Sequence, residues 1–179
     1  YLGNTILLQG LAGEYDRIFV DAASHFSVRD AAAVAGAPVT LYRHCDPADL
    51  AAHLRDQLRP GERPLVISDG VFPISGEIAP VPGYVAALCG YPGAILCLDD
   101  AHATGVLGAG GQGTVAYWCE RDPVGFSNVS DLRIYSAHTL SKALGCHGGV
   151  IAADAGLIRR LRADAPAFGA HSPSPLPVA

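Results

Sequence analysis

Four runs in this chain, residues 17–21 (RIFVD), 64–70 (PLVISDG), 94–100 (AILCLDD) and 148–154 (GGVIAAD), stay almost wholly apolar until they reach a polar end. A strand with one wet face alternates apolar and polar residues. A strand apolar at every position is buried on both faces, as in a parallel sheet covered by helices. Two further runs, 38–43 and 131–137, read as strands, and helical patterns fall at about 27–35, 47–58, 80–89 and 155–162. This alternation predicts an α/β fold of three layers, α/β/α, with a mostly parallel sheet and right-handed crossovers. The stretch 117–131 lacks periodicity and is expected to be a surface loop.

With 179 residues, half of them apolar, the chain is long enough for one domain with a real core. A net charge of -5 argues against a nucleic-acid groove or an anionic membrane surface as partner. No apolar run approaches the length of a bilayer span, and the first residues carry no signal-peptide pattern. Five cysteines without a C-x-x-C pair fit neither a disulfide framework nor a zinc site, so no metal is expected and cytoplasm is the expected compartment. The absence of methionine and the ending Ser172-Pro173-Ser174-Pro175-Leu176-Pro177 lead to the expectation of a large domain, 1–179, cut from a longer chain at both ends.

In an open α/β sheet, ligands sit beyond the carboxyl ends of the strands. Those ends carry Asp21, Ser68-Asp69-Gly70, Asp99-Asp100 and Ser136 through Thr139. Close by lies Lys142, the only lysine among twelve basic residues. Arginine keeps its proton and cannot serve as an amine nucleophile, whereas lysine can once its pKa falls. A lone lysine between Thr139-Leu140-Ser141 and Ala143-Leu144-Gly145 therefore suggests covalent chemistry, though by itself it also fits chance survival in an arginine-rich chain.

Asp99, ending a buried strand, is placed to hold a pyridinium nitrogen protonated, and His102 follows it by three residues. Taken in isolation, a D-x-x-H is better read as a helix N-cap at Asp100 followed by a solvated histidine. Glycines at 105, 108, 110, 111 and 113, and again at 145, 148 and 149, allow close backbone approach to a ligand but match no phosphate-loop motif. His25, four residues beyond RIFVD, reads either as a ring that stacks on an aromatic cofactor or as a surface histidine.

Taken in order, Asp99-Asp100-Ala101-His102-Ala103-Thr104-Gly105-Val106-Leu107-Gly108, Gly111-Gln112-Gly113 and Thr139-Leu140-Ser141-Lys142-Ala143-Leu144-Gly145 resemble the α-oxoamine synthases. These are fold-type I pyridoxal 5'-phosphate (PLP) enzymes. The likeness extends to residues 21–27, to His44-Cys45-Asp46 (an H-x-D turn) and to Ser68-Asp69-Gly70-Val71-Phe72. It implies the large PLP-binding domain of an aminotransferase-like fold, with Lys142 carrying the cofactor as a Schiff base and moving the α-proton. By the same resemblance Asp99 pairs with the pyridine nitrogen, His102 contacts the phenolic oxygen and His25 stacks on the ring. Thr139 and the backbone at Tyr1 bind the phosphate, and Ser172 and Ser174 reach the phosphate of a neighbouring subunit in a homodimer. Three departures stand out: Pro73 occupies a position where the family usually has serine, Ile74-Ser75-Gly76 differs from the family's usual residues there, and the span from Asp99 to Lys142 is longer than usual.

The implied reaction condenses an amino acid with an acyl-CoA or acyl-carrier thioester, usually with decarboxylation. Alternatives are transamination or aldolase-type cleavage on the same core, and a non-catalytic partner subunit. Serine hydroxymethyltransferases share Asp-x-Ala-His but carry a His-Lys motif, and classical aminotransferases more often have tyrosine three residues after the aspartate; both comparisons favour the synthase.

Overall fold

The computed structural model describes residues 1–126 and 131–163. Helix α1 (Leu2–Gly10) leads into strand β1 (Arg17–Asp21), followed by α2 (Phe26–Val34), β2 (Val39–Tyr42), α3 (Pro47–Gln57) and β3 (Pro64–Asp69). Then come α4 (Val81–Leu88), β4 (Ile95–Asp99), α5 (Thr114–Arg121), β5 (Arg133–Thr139), β6 (Gly149–Ala152) and α6 (Ala155–Ala163). The six strands form one sheet in the order β2-β1-β3-β4-β5-β6, parallel except for β6, which runs antiparallel to β5. The three-layer α/β/α architecture with a mostly parallel sheet is thus as expected.

Strand geometry alone sorts the core into two halves, because successive side chains point to opposite faces. Ile18 and Val20, Leu65 and Ile67, and Ile95 and Cys97 face one way, onto Leu7 and Leu8 of α1, Val28 of α2 and Leu157 and Leu161 of α6. Phe19, Val66, Leu96 and Leu98 face the other way, onto Leu50 and Leu54 of α3 and Tyr84, Val85 and Leu88 of α4. Helix α3 starts cleanly: Asp46 accepts from the N–H groups of Ala48 and Asp49, both at 3.0 Å, and Pro47 takes the first turn.

The structure departs from the sequence reading in three places. Helix α1 leaves little trace in the sequence pattern: its buried Leu7 and Leu8, with Leu11 beyond, form too short an apolar stripe to stand out beside Gly3 and Gly10. The expected surface loop 117–131 is in part helix: α5 runs to Arg121, pinned by Trp118, whose indole N–H donates to the Ala79 carbonyl at 2.8 Å. Residues 127–130 lie outside the described residues. Strand β6 was grouped with strands buried on both faces, yet it is an antiparallel strand at the sheet edge, exposed at three of its four positions. Its run of small apolar residues mimics a central strand. Among the described residues no helix is long and apolar enough to cross a membrane.

Gly70, just past β3, sits where the two halves of the sheet's carboxyl end close on each other. A Cβ built there would collide with the Asp100 carboxylate and the Thr114 hydroxyl, both buried. Gly70→Ala should therefore lower stability by about 1–3 kcal/mol, as overpacking does. Urea unfolding of the two proteins would show this, and an unchanged midpoint would contradict the packing described.

Candidate active site

The β3–β4–β5 register brings Asp69, Asp99 and Ala137 level at the carboxyl edge of the sheet. By strand parity Asp69 and Asp99 share the face of Ile67 and Cys97, toward α1 and α2. Asp100 falls on the opposite face. Asp99 is nearly buried; its Oδ2 accepts from the Asn4 side-chain amide at 2.7 Å and its Oδ1 from the Ala101 N–H at 3.0 Å. Asn4 was not singled out in the sequence. Its only signal there is a polar residue within the apolar pattern of α1, and its Oδ1 is buried without a hydrogen-bond partner among the described residues.

His25 caps α2, its Nδ1 accepting from the Ser27 N–H at 3.2 Å, while its ring tilts against Phe26 at 4.0 Å between centroids. The His25 backbone N–H donates to Asp69 Oδ2 at 2.8 Å. Burial pushes the Asp69 carboxyl up to about 6; the hydrogen bond from His25 opposes this, and the charges of Asp99 and Asp21 add to it.

Lys142 lies in the turn after β5, its Nζ 2.7 Å from His102 Nε2. An ammonium only donates, so Nε2 accepts and the proton of the neutral ring sits on Nδ1. Burial, and after it the Lys142 charge, holds His102 below its usual range; Asp99 opposes and His25 adds to the effect. Asp99, His102, His25 and Lys142, separated by up to 117 residues in sequence, thus act on one another across a single edge of the sheet.

The remaining expected residues are placed unevenly. Thr139 ends β5, its Oγ1 2.8 Å from Ser141 Oγ and accepting from the Ser141 N–H at 3.3 Å. Tyr1 is the N-cap of α1, exposed, with its hydroxyl donating to Asp30 at 2.6 Å rather than turning to the sheet edge. Ser172 and Ser174 lie outside the described residues.

On the far face Asp100 accepts from the Thr114 hydroxyl at 2.7 Å and its N–H at 3.0 Å. Further along the edge, Asp21, His44 and Cys45 bring three metal-capable atoms within 4.8 Å of one another. Each already has a role. Asp21 accepts from the N–H groups of Ala23 and Cys45, both at 2.8 Å, meets His44 Nδ1 at 2.9 Å and takes the Tyr84 hydroxyl at 3.3 Å. His44 Nε2 meets Glu77 at 2.8 Å; burial works against its charge, but the two carboxylates together raise its pKa. The Cys45 thiol is pushed up to about 12, first by burial and then by Asp21 and Glu77. The cluster therefore reads as a lock joining the ends of β1 and β2 to the loop after β3.

The raised Asp69 pKa sets a sign for pH dependence. Between its ordinary value of 3.8 and about 6, the unfolded chain has lost this proton while the folded chain keeps it, so stability falls as pH rises through that window. Asp69→Asn preserves the acceptor for the His25 N–H and removes the ionisation. The variant should show a flatter stability profile between pH 4 and about 6 in urea unfolding; profiles that run parallel would place the proton elsewhere.

Comparison with known proteins identifies the family. The 8-amino-7-oxononanoate synthase of Nitrosospira multiformis is 39% identical over 161 residues, covering 90% of this chain and 38% of that protein. The serine palmitoyltransferase of Sphingomonas wittichii superposes with a TM-score of 0.78 at 29% identity, covering 94% of this chain and 39% of that one. A serine palmitoyltransferase structure described as holding a PLP internal aldimine matches with the same TM-score at 26% identity, over 94% of this chain and 39% of that one. The chain spans about two-fifths of the length of the curated relatives it matches. The profile described as Aminotransferase class I and II matches residues 3–179. This chain belongs to the aminotransferase class I and II family, and the relatives it matches there are α-oxoamine synthases.

Proposed function

We propose that this chain is the PLP-binding part of an α-oxoamine synthase, joining an amino acid to an acyl-CoA or acyl-carrier thioester, usually with loss of the amino acid's carboxylate. One observation carries the reading: the only lysine of the chain meets His102 at 2.7 Å, beside a nearly buried aspartate whose two oxygens are each held by a donor.

The donor set suits PLP: an amine, a fixed carboxylate, two histidine rings and paired hydroxyls stand along one edge. When bound, that group supplies an aldehyde for amines and a protonated ring that draws electrons from the bonds at the substrate's α-carbon. Lys142 would offer the amine that holds the aldehyde and the base that moves the α-proton. Asp99, aimed by Asn4 and the Ala101 N–H, would hold a proton on the ring nitrogen. His102, which faces Lys142 through Nε2, would serve the phenolic oxygen, and His25 would offer its ring face. Thr139 and Ser141 provide hydroxyls for the phosphate, together with the first turn of α1, which has no side-chain cap. Pro73 brings no hydroxyl to the phenolic oxygen, so that contact rests more heavily on His102.

A homodimer with the site at its interface belongs to the same reading. The exposed apolar side chains of Tyr1, Leu2 and Phe26 beside the site support it, and Ser172 and Ser174 are assigned to the neighbouring subunit's phosphate. A cytoplasmic location is supported by the free thiols of Cys45, Cys97, Cys119 and Cys146.

Intact protein given PLP, an amino acid and acyl-CoA should release CoA thiol, and Lys142→Ala should lose the visible absorbance of the bound cofactor. Thiol release in the variant should fall by roughly 10²–10⁴-fold or more, the usual worth of a positioned acid–base group. Production of keto acids without thiol release would reassign the chain to transamination. Identical spectra in wild type and variant would remove Lys142 from the site.

A further inference from the structure

Ser136 and His138 stand two residues apart on β5 and so share one face of the sheet, with Ile134, opposite the face that bears Asp99. The His138 imidazole lies between two hydroxyls, with Ser136 Oγ 2.7 Å from Nε2 and Thr104 Oγ1 2.8 Å from Nδ1. Thr104 fixes the direction of this chain, because its hydroxyl donates to the Asp100 carbonyl at 2.8 Å. With that proton committed, Thr104 Oγ1 accepts from His138. In the neutral ring Nδ1 therefore carries the hydrogen and Nε2 accepts from Ser136.

The two segments tied together are the ones that carry the proposed chemistry. Thr104 belongs to the turn 100–105, which also bears His102, and His138 precedes Lys142 by four residues. At their roots the segments are already joined by the Asp100 N–H, which donates to the Ala137 carbonyl at 2.8 Å. The turn is closed on itself by the Ala103 and Thr104 N–H groups, which donate to the Asp100 carbonyl at 3.0 and 2.9 Å. None of these bonds ties its outer part to the segment after β5, whereas the His138 side chain gripping Thr104 does. The segments close again at Gly105, where a Cβ would stand 3.0 Å from that of Ala143, one residue past the lysine.

We propose that His138 is a positioning residue that, by holding Thr104, sets the distance at which His102 meets Lys142. This rests on the reading of His102 and Lys142 as a working pair. His138 touches neither side chain and acts through the backbone of both segments. Around its ring stand Ser136 of the same strand, Thr104 and the Asp100 carboxylate, with Val150 paired to it on β6. Around His102 stand Lys142, Asp99 and His25. If the grip is lost, the lysine charge moves away from His102 and the imidazole regains basicity.

The test is an NMR titration of the His102 ring in intact protein without cofactor, so it does not depend on catalysis. In wild type His102 should titrate below the ordinary 6.5. His138→Ala should move its midpoint upward by roughly half a unit, and so should Thr104→Val, which keeps the shape of Thr104 but not its hydroxyl. His138→Asn retains a donor where Nδ1 stood and should restore the wild-type midpoint, whereas His138→Gln, whose amide reaches toward the Nε2 side, should not. Midpoints that coincide in wild type, His138→Ala and Thr104→Val would overturn the proposal. So would a shift that Asn fails to reverse. Failure of the wild-type protein to take up PLP is a separate outcome: it would sink the proposed function while this titration still stood.

Discussion

Everything at the working edge of this protein follows from burying both faces of a parallel sheet. Because alternate side chains take opposite faces, the neighbouring residues Asp99 and Asp100 cannot share an environment. Asp99 turns toward α1 and meets Asn4; Asp100 turns toward α5 and meets Thr114. One dipeptide thus serves two ends, a carboxylate on the side of the candidate site and a carboxylate anchoring the helix behind it.

Four carboxylates, Asp21, Asp69, Asp99 and Asp100, are buried along this edge. Taking such groups from water costs several kcal/mol each unless donors replace the lost hydration. The structure meets the need unequally. Asp21 accepts from two backbone N–H groups, a tyrosine and a histidine, whereas Asp69 relies chiefly on one backbone N–H and carries the raised pKa that follows. The Asp69 bond ends on His25, so the least well compensated carboxylate is the one that orients a ring at the site.

The opposite face supplies the rigidity. The Ser136–His138–Thr104 chain and the Asp100–Thr114 pair brace the turn after β4 from behind, out of reach of any ligand on the Asp99 side. Gly70 and Gly105 permit that closeness, each lying where a methyl group would press on the opposing segment. The edge is thereby held by polar contacts on one face while it presents reactive groups on the other.

The strand runs made the layered architecture and its carboxyl-end site legible, because continuous apolarity has few physical solutions. The ordered motifs around Asp99 and Lys142 likewise carry the family in their sequence. Elements whose stability comes from one or two tertiary contacts were not legible. Helix α5 depends on Trp118 reaching the Ala79 carbonyl, and β6 looks central by composition while lying at an edge. Asn4 and His138 were equally hidden, being single polar residues whose meaning lies in partners 95 and 34 positions away. Sequence by itself determined which groups could do chemistry, since that is a property of side-chain type and strand pattern. Only the tertiary structure decided which of them meet and what holds them there, because a hydrogen bond depends on distance in space, which the order of residues does not contain.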